Sequence, residues 1–402
     1  MKHKKLLISL TAVGSAILML AIFLMVWFYG DRYKDFDANF SKEFSIPGLK
    51  DGAVPQGMGN CTAEYVIEGV GTPIKKSQQY FFITAYMVDG SPSRIYVTGE
   101  DTGYVGYVTM KNVDGSDYLG HCGGIATNGS YLWVTGESTV YVAKSSSSDY
   151  PDIANELITK AKLEEGSENK SVKFTSSFKA NCGADFCFYY DNPNYTSVSY
   201  DRLYVGEFYR KGNWETDMSH RMTTPNGYYN TALVYEYNIS TLEPYGLVKL
   251  SDSKLTEENK VPKIQRAISI PEKIQGLARV GNTLALSQSY GLANSHIFAF
   301  DWKKTTESEN GKNFNELNEK NFAYEGVTTS NGVPYTVTDL KVYFADCNNS
   351  ELLLKNYEIP SMSEGLCAAG NKVYVLFESA GKKYKTFVRE RIKNVYSVRF
   401  RY

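Results

Sequence analysis

Ile274-Gln275-Gly276-Leu277-Ala278-Arg279-Val280-Gly281-Asn282-Thr283-Leu284-Ala285-Leu286-Ser287 reads as two short strands joined by a Gly-Asn turn, and a third run, His296–Phe300, follows. The polar–glycine–apolar start recurs at Pro55-Gln56-Gly57-Met58 and Ser363-Glu364-Gly365-Leu366. Looser copies stand at His121-Cys122-Gly123-Gly124-Ile125 and Asn181-Cys182-Gly183-Ala184. In the other four units the second runs are Tyr80–Tyr86, Tyr131–Thr135, Arg202–Gly206 and Lys372–Phe377. The third runs are Arg94–Thr98, Thr139–Ala143, Ala232–Tyr237 and Asn394–Phe400. Three units are preceded by a run ending in Ile46-Pro47, Ile270-Pro271 or Ile359-Pro360. Proline lacks the N–H that would extend a ladder, so it closes a strand.

Five antiparallel four-strand units in series predict an all-β chain folded as a β-propeller of five four-stranded blades. The units are longer than the roughly 40–50 residues of common propeller repeats. Insertions near 144–175, 209–230 and 303–340 carry the excess. A sixth, degenerate blade fits within 303–350, where Leu340–Ala345 is a further strand candidate; a non-propeller β fold is the remaining alternative. Phe44-Ser45-Ile46-Pro47 looks like the last strand of a blade yet precedes the first. It is expected to pair outside Asn394–Phe400 and close the ring, which removes an exposed edge.

These units resemble the β-propeller superfamily over residues 44–402. The segment Ile359-Pro360-Ser361-Met362-Ser363-Glu364-Gly365, followed by Leu376-Phe377-Glu378-Ser379, resembles a family of secreted bacterial proteins. The likeness implies a fold and an extracellular location rather than a chemistry, because propellers host hydrolases, lyases and binding modules alike.

At the other end, Lys2, Lys4 and Lys5 precede an uncharged apolar run from Leu6 to Tyr29. That run is long enough to span a bilayer core of roughly 30 Å as a helix. It ends in Trp27-Phe28-Tyr29, with no small-x-small cleavage site. The expected organisation is a cytoplasmic start and transmembrane signal anchor over 1–30, a tether over 31–43, and the propeller over 44–402. The location is then the cell membrane, single-pass, with the bulk of the chain extracellular. A cleaved signal is the alternative.

The 43 Lys and Arg nearly balance the 44 Asp and Glu, which argues against a nucleic-acid partner. No phosphate-binding loop, dinucleotide fingerprint, His-Glu-x-x-His or Gly-x-Ser-x-Gly motif occurs. Four His are few for a metal site, and the reading calls for no cofactor and no metal. The six Cys leave two alternatives open: buried free thiols, or bridges such as Cys122–Cys182 and Cys347–Cys367.

Antiparallel order puts the start of strand one, the end of strand two and the start of strand three on one rim. Candidate ligand-binding residues there are Gln56, Tyr86, Arg94, Gln275, Ser289, Tyr290 and Lys382. Candidate catalytic residues are Glu364, Glu378 and His121, the two carboxyls as an acid–base pair about 5–10 Å apart. Against that stands a structural reading. Glu364 occupies the slot that holds an amide at Gln56 and Gln275, and His121 lies in a glycine-rich turn. The 209–230 insertion, with Arg210, Lys211, Trp214, His220 and Arg221, is expected over the same rim. Two functions follow. One is a membrane-anchored extracellular module binding a cell-envelope glycan or surface protein through this rim. The other is an extracellular hydrolase of a glycan or ester using the carboxylates at the channel mouth.

Overall fold

The structure, a computed structural model, describes residues 13–23, 25, 33–67, 74–145, 148–194, 196–251, 253–255, 261–314, 322–337, 340–384, 386 and 388–400. Its repeated glycines lie where one backbone meets another. A Cβ on Gly57 would stand 2.7 Å from the Gly124 Cα, and one on Gly365 2.7 Å from the Met58 nitrogen. Strands can approach so closely only where no side chain intervenes.

Five sheets of four to six strands are formed among the described residues. The first runs outward through Ala53–Ile67, Ile74–Met87, Arg94–Gly99 and Gly103–Lys111, with Ser171–Lys173 added in parallel. The second contains Gly124–Thr127, Tyr131–Gly136, Thr139–Lys144 and Ser176–Lys179. The third contains Phe186–Tyr190, Arg202–Gly206, Ala232–Asn238 and Ile264–Ile270. The fourth contains Ile274–Val280, Thr283–Gln288, Ser295–Asp301 and Leu353–Ile359. The fifth contains Ser363–Ala369, Lys372–Phe377 and Asn394–Val398, and its outer strand is the N-terminal segment Phe40–Ser45. The innermost strands neighbour one another in that order, and the fifth returns to the first. The architecture is all-β and that of a β-propeller. Tilted aromatic rings pack the seam between the fifth and first sheets: Phe44, Phe81 and Tyr374 follow one another at 4.8 Å between ring centres.

Three features bear on what the sequence left open or expected. Lys341–Phe344 does not begin a sheet of its own: it pairs in parallel with Ile264–Ile270 and extends the third sheet, which Gly311–Asn313 then completes. The segment expected as a tether is folded from Tyr33 onward. Lys34–Asn39 is a short helix, and Phe40–Ser45 pairs antiparallel with Asn394–Val398. Tyr33, Phe36 and Phe40 belong to the core, because three aromatics spaced three and four apart present one apolar face to the groove beside the fifth sheet. Lys372 Nζ to Glu43 at 2.7 Å pins the outer strand. Third, all six cysteines are free, so neither Cys122–Cys182 nor Cys347–Cys367 is a bridge.

The expected anchor, Leu6–Tyr29, lies partly outside the described residues. Residues 13–23 and 25 are helical, and Val13, Ile17, Leu18, Leu20 and Phe23 are exposed. No helix among the described residues is long and apolar enough to cross a membrane.

Candidate functional site

The inner strands converge on a cavity of about 1130 Å³ at the rim where they begin. Gln56, Tyr86, His121, Gln275, Ser289, Tyr290, Glu364 and Glu378 all line it. Two of the expected residues do not. Arg94 begins a third strand, one step further from the axis, and packs its guanidinium 4.1 Å over the Tyr107 ring. Lys382 is exposed, and its neighbour Lys383 takes the place on the cavity wall.

Glu364 and Glu378 both face the cavity, near enough for each to shift the other's titration. Burial, and then the neighbouring Glu378 charge, push the Glu364 carboxyl well above the usual range. Burial also raises Glu378, while its neighbours Glu364, Gln56 and Tyr384, and then the Lys383 charge, pull it back. Gln56 Nε2 donates to Glu378 at 3.0 Å, across the seam between the fifth and first sheets. Both carboxyls of the expected acid–base pair thus line the one cavity, and Glu378 is already engaged by Gln56.

Above this dyad, Lys383 Nζ donates to the Tyr86 hydroxyl at 2.7 Å. Tyr86 stacks on His121 with 5.1 Å between ring centres. The cavity walls crowd the His121 ring while solvent still reaches it. That crowding, then the Lys383 charge, lower its pKa.

Across the mouth lies a second acidic group, of which the repeat pointed to Glu207 but not to Asp185. Asp185 and Glu207 both line the cavity. Burial pushes the Asp185 carboxyl up to about 7, against the pull of a hydrogen bond from the Phe208 amide, and the Glu207 charge adds to the rise. Glu207 Oε1 accepts from Leu233 N at 2.8 Å and faces His220 Nδ1 at 2.9 Å; its Oε2 accepts from Gly183 N at 3.2 Å. Burial opposes a charge on His220, and Glu207 outweighs it, leaving that pKa raised. Glu207 thus clasps the 209–230 insertion to the third sheet. The insertion does sit over the rim, with Trp214 and His220 on the cavity wall.

In the third unit the inner strand begins at Phe186, and Asp185, not Asn181, occupies the place of Gln56. In the second that place falls to Gly123, and His121 lies before it. The missed signal was the aromatic run Phe186-Cys187-Phe188-Tyr189-Tyr190, a strand whose start dispenses with the glycine.

Aromatic rings form the remaining wall. Trp214 is 52 % exposed. It lies 6.1 Å from Tyr290 and 6.0 Å from Phe208, and Arg210 covers Tyr290 at 4.1 Å. Among the described residues no group of three or more His, Cys, Asp or Glu could hold a metal ion.

No family model and no curated protein matches the chain, so the secreted family that the closing segment resembles is not among the matches. Solved structures that match include the Dos1 propeller, at 8% identity over 86% of this chain and 73% of that one, with a TM-score of 0.26. Sqt1 of Saccharomyces cerevisiae matches at 9% identity over 75% and 80%, with a TM-score of 0.20. Scores so low carry no weight for function, and the fold rests on the chain's own strand pairing.

Proposed function

We propose that this chain is a five-bladed propeller, held at the cell surface by its N-terminal apolar helix, that binds a cell-envelope glycan in the rim cavity. The observation that carries the reading is the composition of the cavity wall. Exposed Trp214 with Tyr290 offers flat apolar faces, and Tyr86 with His121 offers another. Between them lie the amide of Gln275, the Ser289 hydroxyl and the carboxyls of Glu137 and Asp185. A pyranose has the matching surfaces, an apolar ring face and a girdle of hydroxyls. The uncovered apolar residues of helix 13–23 support the anchor, since such a surface calls for a non-aqueous neighbour.

The hydrolase alternative is less well supported. Glu378 is engaged by Gln56 Nε2 at 3.0 Å, and burial raises both carboxyls of the pair. The test is a glycan array probed with the full chain in detergent micelles, beside the Trp214→Ala variant. Binding that Trp214→Ala lowers about tenfold or more is expected. Absence of any glycan binding overturns the glycan reading, and turnover of a bound glycan or ester that Glu364→Gln abolishes overturns the preference for binding over hydrolysis.

A further inference from the structure

Tyr33, where the described chain of the propeller begins, is held at the rim. Its hydroxyl donates to Asn294 Oδ1 at 3.1 Å. Asn294 ends the turn that joins the second and third strands of the fourth sheet, and Ser289 and Tyr290 of that turn line the rim cavity. From there the chain runs away from the rim between two sheets. Phe36 lies 4.8 Å from Tyr396 of the fifth, and Phe40 lies 5.6 Å from Tyr357 of the fourth. The strand Phe40–Ser45 then returns to the rim, where Ser45 pairs with Asn394.

The apolar run Leu6–Tyr29 ends four residues before Tyr33. Four residues of extended chain reach roughly 14 Å at most. The opposite end of the domain lies further off than that. Thr283–Gln288 and Ser295–Asp301 have 6 and 7 residues, and such strands rise roughly 20 Å. Whatever surrounds the end of the apolar run is therefore close to the rim and out of reach of the other end.

The rim beside Tyr33 has the surface that a lipid neighbour needs. Leu292, in the fourth sheet's turn, is 59 % exposed, and Met218, on the insertion, is 69 % exposed. The insertion reaches this turn through Trp214, 6.1 Å from Tyr290. The matching turn of the fifth sheet, between Phe377 and Asn394, carries Lys382, Lys383, Arg389, Arg391 and Lys393 against Glu390 and the buried Glu378. Lys382, Lys383, Arg391 and Lys393 are exposed. Two acids on the neighbouring turns have cations of their own: Glu215 meets Arg221 at 3.0 Å and Glu272 meets Lys273 at 2.5 Å. Exposed apolar side chains occur at the other end too, Leu242 among them, and by themselves decide nothing. The reach of the chain and the basic turn do, since a cluster of cations beside a membrane segment is drawn to anionic lipid.

We propose that the arc of the rim formed by the fourth and fifth sheets rests on the anionic surface of the bilayer that holds the N-terminal run. Leu292 and Met218 sit at headgroup level, and the basic turn lies over anionic lipid. The contact is one arc of the ring, so the cavity mouth stays open beside the lipid. This contact presupposes the anchor proposed above and is independent of what the cavity binds.

The experiment is tryptophan quenching in the full chain, reconstituted into vesicles of phosphatidylcholine with brominated acyl chains, with and without phosphatidylglycerol. Trp27→Phe removes the signal of the apolar run. In that background Leu292→Trp reports on the rim and Leu242→Trp on the opposite end. With phosphatidylglycerol present, Leu292→Trp is expected to lose about half or more of its added emission, as a ring roughly 5–10 Å into the headgroup region does. Leu242→Trp should lose none. Lys382→Gln together with Lys393→Gln should lower the quenching several-fold. Met218→Trp gives the same reading if Leu292→Trp does not fold. Equal quenching at the two ends, no quenching at the rim in chains that float with the vesicles, or quenching that the two lysine changes leave as it was would each overturn the proposal. Chains that do not float with the vesicles overturn the anchor and, with it, this contact.

Discussion

Replacing Phe36 by Ala separates a tether from a structural element. Phe36 is 5 % exposed, and its ring centre lies 4.9 Å from Phe40, 4.8 Å from Tyr396 and 6.1 Å from Phe377. Burying such a side chain contributes about 1.5–3 kcal/mol, and each well-placed aromatic pair adds roughly 0.5–1.5. Phe→Ala in a closed core costs about 3–5 kcal/mol. Phe36 lies on a short helix at the edge of the domain, where neighbours can relax, so a loss of about 2–4 kcal/mol is expected. The loss is bounded, because the N-terminal segment can detach while the sheets persist. Urea denaturation of the full chain, followed by tryptophan fluorescence, would measure it. Hydrogen exchange should show Asn394–Val398 losing protection first, since its outer partner is Phe40–Ser45. A change below about 0.5 kcal/mol, the range of an ordinary surface substitution, would refute the assignment of this segment to the fold.

Gly365→Ala should destabilise by about 1–3 kcal/mol in the same assay, because its Cβ would meet the backbone of Met58 and Gln56 at 2.7 and 2.9 Å; a neutral result would contradict the close approach of the inner strands. Asp185, raised by burial to about 7, holds a proton in the folded state that the unfolded chain has released. Its contribution to stability is complete below about pH 4 and lost as pH rises through about 7, and Asp185→Asn should flatten that part of the stability–pH curve; an unchanged slope would count against it. Trp214→Ala should leave the unfolding free energy within about 0.5 kcal/mol while lowering rim binding about tenfold or more, since the ring is half exposed; a large stability loss would make Trp214 a packing residue. Thiol titration without reductant should count six reactive groups in denaturant, with Cys122, Cys182, Cys187 and Cys367 protected in the folded chain; four or fewer in denaturant would reveal a bridge.

Where sequence reading failed at the rim, it failed for one physical reason. The inner strands of the second and third units begin later than their first glycine suggests, at Gly124 and Phe186. Asp185 and Gly123 hold the places expected for Asn181 and His121, so the axial ring of polar groups was misassigned in two units of five. Arg94 was placed on the correct rim but on the wrong wall, because proximity to a rim does not say which way a side chain points. Glu364 and Glu378 were both found, while their closeness was not: it depends on the bulge between Ser363 and Leu366, where the strand register shifts.

The sequence by itself determined the elements and their order. Alternating apolar runs, the recurring glycine and the Ile-Pro ends are local signals, each enforced by a local cause: the pleat, backbone contact, or a missing N–H. The ring's closing strand was legible for the same reason, as a strand found before its blade. Tertiary structure alone decided which charges meet. The dyad joins the end of one strand to the start of another and takes a donor from across the seam between the fifth and first sheets. The Glu207–His220 clasp joins a sheet to its insertion, and the two guanidiniums on Glu236, Arg202 and Arg266, come from strands distant in sequence. Such pairings depend on sheet register and ring closure, and no spacing along the chain encodes them.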